Sequence, residues 1–148
     1  MEIRIATIED ISTLRELANE TSSGPKWTSG HYQVALQDST CHLALIAGMK
    51  NESRGFLVAS GAGKDWELLN IVVRTDSRRK GTAMQLIQEL VRQLQSRQAA
   101  TLHLEVREEN IAAITLYERS GFQLVGRRKK YYSSPEEDAL LFRRDLLV

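Results

Sequence analysis

The sequence predicts an α+β (mixed α/β) domain built on one sheet. Three observations carry that reading. Helical stripes with a 3.6-residue period alternate along the chain with strands of period two. No repeat, Pro/Gly/Ser linker or low-complexity tract divides the 148 residues. A content of 42% hydrophobic and 26% charged residues suffices for one core, and so for one domain over residues 1–148.

The elements follow in order. Ile3-Arg4-Ile5-Ala6 alternates as a short strand, and Thr7 with Asp10 resembles a capping box opening a helix striped by Ile11, Leu14 and Ala18. A second helix spans Thr28 to about Leu36, with Tyr32 and Leu36 four apart on one side. Runs at 42–47, 55–60 and 66–73 read as strands parted by Gly48, Asn51, Gly61 and Gly63, which favour turns, and suggest an antiparallel meander. From Lys80 to Arg97 the apolar positions Ala83, Leu86, Ile87, Leu90, Val91 and Leu94 form the stripe of an amphipathic helix. Thr101 to Arg107 alternates strictly, with Leu102, Leu104 and Val106 pointing one way and Thr101, His103, Glu105 and Arg107 the other. Asn110 caps a helix through Tyr117 that ends at Gly121, a left-handed terminator, with Phe122 covering the last turn. Strands at 123–132 and 139–146 close the chain, giving about seven strands and about four helices.

Composition excludes several function classes. Twenty Lys and Arg against nineteen Asp and Glu leave a formal charge of +1, too weak a field to recruit nucleic acid or a membrane surface. The single cysteine, Cys41, allows no internal disulfide and fits a reducing compartment. The start, Met1 to Ile5, has no apolar leader, and the apolar stretch from Leu43 to Ala47 is far short of a membrane span, so a soluble, cytoplasmic protein is expected.

Arg78-Arg79-Lys80-Gly81-Thr82-Ala83 lies between a strand and the long helix. A helix N-terminus presents unpaired N–H groups and partial positive charge, and Gly81 with small Ala83 lets a pyrophosphate approach the backbone. The plainer alternative is a helix start with a solvated basic rim. Gly61-Ala62-Gly63-Lys64 fails as a phosphate loop, because Asp65 replaces the magnesium-binding hydroxyl and Val58 the first glycine; Trp66 likewise defeats a dinucleotide fingerprint.

Glu105 sits on the polar face of an otherwise apolar strand, where a carboxylate can take a proton from an amine. Its alternative fate is an exposed glutamate paired with Arg107 or Arg92. His103 shares that face, but no third ligand at a recognisable spacing makes a metal site. Tyr117 shares a helical face with Asn110 and Ile114, and a phenol is a serviceable acid toward a thiolate, or else a core tyrosine with its hydroxyl at the rim. Cys41 and His42, as strand neighbours, point to opposite faces and form no nucleophile pair. The run Arg127-Arg128-Lys129-Lys130-Tyr131-Tyr132 alternates between faces in a strand, which favours a partly solvated edge over an RNA surface.

These residues together resemble a known family. Arg78-x-x-Gly81-x-Ala83 is similar to the [Gln/Arg]-x-x-Gly-x-[Gly/Ala] signature of the GNAT superfamily of N-acetyltransferases, whose loop holds the pyrophosphate of acetyl-CoA. Leu69-Asn70-Ile71-Val72-Val73, Leu104-Glu105-Val106-Arg107, Asn110-x-Ala112-Ala113-Ile114-x-Leu116-Tyr117-Glu118, Ser120-Gly121-Phe122, Tyr131-Tyr132 and Glu137-Asp138-Ala139 resemble its branch acting on the N-terminal alanine of a ribosomal protein. The resemblance is dense from Leu69 to Ala139 and thin before Cys41. Arg74-Thr75 stand where the family commonly has an acidic residue and Pro, Ala83 replaces a glycine, and Lys26 separates Pro25 from Trp27.

The resemblance implies the GNAT fold: a mixed, mostly antiparallel sheet with splayed central parallel strands. It implies that Ile71, Val72 and Val73 offer backbone to the pantetheine arm, that Arg78, Arg79, Lys80, Gly81, Thr82, Ala83 and Met84 hold the pyrophosphate, and that Asn110 contacts the cofactor arm. Glu105 becomes the base and Tyr117 the acid, with acetyl-CoA as cosubstrate, no metal, and a protein N-terminus as acceptor. The acidic Glu136-Glu137-Asp138 cluster is expected to attract a basic peptide. Two other readings stay open: a GNAT enzyme for another protein or small amine, and a non-enzymatic CoA-binding or ribosome-associating module.

Overall fold

Strands β1 (Glu2–Ile5), β2 (His42–Met49), β3 (Glu52–Ala62), β4 (Asp65–Val73), β5 (Thr101–Arg107), β6 (Gln123–Tyr132) and β7 (Glu137–Asp145) form one sheet, flanked by helices α1 (Ile11–Asn19), α2 (Ser29–Gln37), α3 (Thr82–Ser96) and α4 (Ile111–Arg119). The computed structural model describes residues 1–20, 27–49, 52–77, 81–133 and 135–147. The sheet runs β1-β2-β3-β4-β5-β7-β6, with β7 inserted between β5 and β6. Every neighbouring pair is antiparallel except β4 and β5, which are parallel. A parallel pair needs a crossover, and α3 supplies it. The mixed α+β class, the meander from β2 to β4 and the seven-strand, four-helix count agree with the sequence.

Helices cover both faces, so the central strands are buried on both sides and read as nearly continuous apolar runs. Leu43, Leu45 and Ala47 of β2, with Leu57 and Ala59 of β3, join the larger core under α3, where Leu86, Ile87, Leu90 and Leu94 are fully buried. Ala44, Ile46, Phe56 and Val58 face the other way, toward Leu14 and Leu17 of α1 and Tyr32 and Ala35 of α2. The α1 stripe is therefore Leu14 and Leu17, with Ile11 and Ala18 at its margin. A 3-10 turn at Ile8–Asp10 precedes α1, and the Thr7 N–H donates to Asp10 Oδ2 at 2.8 Å, as a capping box requires.

Local chemistry ends two helices as expected. Thr28 caps α2 reciprocally: its Oγ1 accepts from the His31 N–H at 3.3 Å, and its own N–H donates to His31 Nδ1 at 2.9 Å. At the end of α4 the Phe122 N–H donates to the Tyr117 carbonyl at 3.0 Å and the Gly121 N–H to Glu118 at 3.2 Å, a Schellman closure. Two expected turn glycines are not in turns. Gly48 and Gly61 lie within β2 and β3, and Asn51 falls outside the described residues. Gly61 pairs across the sheet with Trp66, whose ring lies 2.2 Å from where a Cβ would stand, so the indole occupies the space of a missing side chain. The β3–β4 turn is made by Gly63 and Lys64 alone.

A bulge shapes the centre of the sheet. Val58 pairs with Asn70 but Ala59 with Leu68, leaving Leu69 as an extra residue in β4. Trp66 and Leu68 therefore pack in the larger core, whereas Asn70 and Val72 are buried on the α1/α2 side. The pairing of β4 with β5 covers only Asp65–Glu67 against Thr101–His103. Beyond that point β4 stays with β3 and β5 with β7, and the two central strands diverge.

Candidate active site

The divergence opens a wedge. From Leu68 to Val73 the edge of β4 that would face β5 has no strand partner, and the same holds for β5 from Leu104 to Arg107 on its β4 side. Such an edge offers N–H and C=O groups in a row, ready to pair with an extended ligand. Ile71 and Val73 pack against the larger core and Val72 is buried on the other side, so side chains anchor the strand while its backbone faces the gap.

At the mouth of the wedge on the α3 side lies the head of that helix. Gly81 caps it at φ 80° and ψ 6°, a left-handed backbone that favours glycine. Among the described residues the α3 ladder opens with the Gln85 N–H donating to the Gly81 carbonyl at 2.9 Å, with the N–H groups of Thr82, Ala83 and Met84 ahead of it. The Thr82 hydroxyl turns to Met1 Sδ at 3.8 Å, and Met84 Sδ accepts from the Ser120 hydroxyl at 3.3 Å. Both side-chain ends are thus engaged within the fold. Arg78, Arg79 and Lys80 lie outside the described residues.

Glu105 projects from β5 to the α1/α2 side, between the core residues Leu104 and Val106. Its side chain is 21% exposed and its Oε1 lies 3.5 Å from Arg128 Nη2. The partner is thus Arg128, not Arg107 or Arg92. Arg92 pairs with Glu89 at 2.7 Å, and Arg107 with Glu137 at 3.1 Å. Arg107 also lies over the Tyr132 ring, 4.3 Å from its centroid, and donates to the Pro135 carbonyl, binding the β6–β7 turn to the end of β5. Asn110 Oδ1 accepts from the Ala113 N–H at 3.2 Å, so its carbonyl is engaged as the α4 cap.

Tyr117 lies on the opposite side of the sheet, buried in the larger core with its ring against Phe122 at 5.8 Å and Phe142 at 6.5 Å. Burial, with a smaller effect of Tyr132, pushes its phenol up to about 12. Tyr132 lies within reach of both: burial and then the Glu105 carboxylate push its own phenol up, and it in turn adds to the rise of Tyr117. Glu105 thus stands on the strand that borders the wedge, and Tyr117 in the core on the other face of the sheet.

The remaining charged groups are engaged locally. Glu136 pairs with Lys130, Glu137 with Arg107, and Asp138 with Arg127 at 2.7 Å. The acidic cluster expected to attract a basic peptide is therefore matched by the chain's own cations. The basic run is an exposed sheet edge, but its alternation is broken by an irregularity between Arg128 and Tyr132 and by Lys130 at φ 54°. Among the described residues no group of three or more His, Cys, Asp or Glu is placed to hold a metal, and no helix is long and apolar enough to cross a membrane.

Comparison with known proteins decides the family. Residues 11–122 match the profile of the Acetyltransferase (GNAT) family. The chain belongs to the GNAT family. It is 43% identical over 76 residues to the [ribosomal protein bS18]-alanine N-acetyltransferase of Escherichia coli K12, covering 50% of this chain and 51% of that protein. In that alignment the chain spans about half the length of its relative. The crystal structure of the ribosomal-protein-S18-alanine N-acetyltransferase from Escherichia coli superposes with a TM-score of 0.90 at 26% identity, over 99% of this chain and 94% of that one. Arabidopsis thaliana NAA60 in complex with acetyl-CoA shares the fold, with a TM-score of 0.85 at 21% identity over 97% of each chain.

Of the residues read from the sequence, Ile71 to Val73 lie on the unpaired edge of β4 and Glu105 on β5, Thr82 to Met84 form the first turn of α3, and Tyr117 lies in the larger core. Sequence reasoning did not single out Glu67, Arg128 or the Arg107–Tyr132–Glu137 clamp. The adjacent tyrosines before a short acidic turn were the available signal for the clamp, and the bulge that orients it leaves no mark on a single strand.

Proposed function

We propose that this chain transfers an acetyl group from acetyl-CoA to the α-amine of a protein N-terminus, with the N-terminal alanine of a ribosomal protein as the acceptor. One observation supports the reading above all: in a chain of the GNAT family β4 and β5 part beyond Glu67 and His103 and leave an open strand edge, with Glu105 on β5 and the glycine-capped head of α3 following β4. The acceptor class is supported by the relatives of that name in Escherichia coli.

The residues present suit the cofactor. Backbone N–H groups of Thr82 to Met84 would hold the diphosphate at the glycine cap, with Arg78, Arg79 and Lys80 adding charge and Asn110 facing the arm. The open edge at Ile71, Val72 and Val73 would bind the pantetheine amides as an added strand and orient the carbonyl. Acetyl-CoA supplies an acetyl thioester when bound. An α-ammonium, with an ordinary pKa of about 8, must lose a proton before it attacks, and Glu105 takes that proton directly or through one water. The C–N bond forms as the C–S bond breaks; one proton of the ammonium leaves through Glu105 to solvent, and a second reaches the departing sulfur by way of Tyr117.

The test is mass spectrometry of a peptide copying the N-terminus of the small-subunit ribosomal protein, incubated with acetyl-CoA and the chain. One acetyl group on the α-amine is expected, with Glu105→Gln slowing its appearance about 10²-fold at neutral pH. An unmodified peptide, or equal rates in the variant, would refute the reading.

A further inference from the structure

Glu137, at the start of β7, is a carboxylate that the scheme above leaves idle. Its side chain is 8% exposed. A charge so far withdrawn from water is tolerated only where several donors meet it, and here two segments supply them. Oε1 accepts from Arg107 Nη1 at 3.1 Å, at the end of β5, and Oε2 accepts from the Glu109 N–H at 2.7 Å, in the turn that leads into α4. The next residue adds to the attachment: the Asp138 carbonyl accepts from the Glu108 N–H at 3.2 Å. Residues 107–109 are thus fastened one by one to the first two residues of β7.

The two oxygens lead to different parts of the proposed site. On the acceptor side, the Arg107 guanidinium that Oε1 holds lies 4.3 Å from the Tyr132 ring centroid and donates to the Pro135 carbonyl at 3.2 Å. A cation over the ring face fixes the tilt of Tyr132, which lies within reach of Glu105, and with it the turn between β6 and β7. On the donor side, Glu109 immediately precedes Asn110, whose Oδ1 caps α4 through the Ala113 N–H at 3.2 Å. The head of the helix that carries Tyr117 is therefore tied to the same carboxylate. A glutamine could not stand in, because its amide has one acceptor oxygen for two donors and no charge for the guanidinium.

We infer that Glu137 is a positioning residue for both substrates: Oε1 sets the acceptor side through Arg107 and Tyr132, and Oε2 the donor side through Glu109 and Asn110. This rests on the acetyl-transfer reading and specifies what holds its two substrate sites in place. Glu137 itself touches neither reactant. It fixes groups that do, so its loss weakens the binding of both substrates and leaves the chemical step to Glu105 and Tyr117.

Steady-state kinetics with acetyl-CoA and an Ala-starting peptide test the inference in Glu137→Gln and Arg107→Lys. In Glu137→Gln the acceptor KM and the acetyl-CoA KM should each rise about tenfold, the scale of one charge-assisted hydrogen bond, with kcat close to wild type. In Arg107→Lys the ammonium keeps its pairing with Glu137 but lacks the planar face that lies over Tyr132, so the acceptor KM alone should rise, about threefold. With wild type active, a Glu137→Gln chain in which either KM keeps its wild-type value, or in which kcat falls instead, would overturn this inference alone. So would an Arg107→Lys chain whose acceptor KM is unmoved or whose acetyl-CoA KM rises with it, and this variant decides by itself if Glu137→Gln does not fold. A wild-type chain that acetylates no amine would refute the parent reading and this one with it.

Discussion

Tyr117 holds its proton because it is buried. A phenol pushed to about 12 stays neutral throughout the physiological range, the form the proposed acid role requires. The shift has a consequence for stability. In the unfolded chain the tyrosine ionises near its ordinary value of about 10, whereas the folded chain keeps the proton to about 12. The stabilisation is therefore fully present below about pH 10 and is lost as pH climbs through about 12. Denaturant titrations at stepped alkaline pH should show wild type losing about 2–3 kcal/mol more than Tyr117→Phe over that window, and the variant should turn over at least about tenfold more slowly with its acetyl-CoA affinity intact. A variant with the wild-type alkaline slope and rate would place the phenol outside the chemistry. Glu105 was legible in advance, since strict alternation in β5 leaves it as the one carboxylate on a polar face shared with Thr101, His103 and Arg107. Tyr132 was not, because its position depends on an irregular pairing and on Arg107 stacked over its ring.

At the scale of elements, one extra residue in β4 governs the site. The Leu69 bulge moves the following side chains to the other face and comes just where β4 leaves β5, consistent with the local twist that bulges add. Upstream of it, β4 is held by Trp66, buried to 3% exposure over Gly61 and with the Arg97 guanidinium 5.4 Å above its ring. Gly61→Ala would force that indole aside, at a cost of about 1–3 kcal/mol. Urea unfolding should show a lower midpoint with the same slope, and an unchanged midpoint would mean that the ring has room to move. The helical stripe of α3, the Asn110 cap and the Gly121 stop were readable because each depends on residues within a turn or two of one another. The bulge and the true place of Gly61 were not, because both are properties of a strand pair, and alternation along one strand carries no register.

The whole molecule divides its work between the two faces of its sheet. The α3 side carries the larger core with Tyr117 and the glycine-capped head of α3; the α1/α2 side carries Glu105 and Glu67. The wedge is the passage between them, and the proposed reaction needs that passage because donor and acceptor approach from opposite sides. A net charge of +1 gives no broad field to steer a partner. The insertion of β7 between β5 and β6 could not be foreseen, as hydrophobic alternation states which face of a strand is buried but not which strand lies beside it. Amide hydrogen exchange with and without saturating acetyl-CoA tests the central claim most directly. Slowing of at least about tenfold is predicted at amides within Ile71 to Val73 and Thr82 to Met84; binding that leaves both segments exchanging at their free rates, or no binding at all, would contradict it.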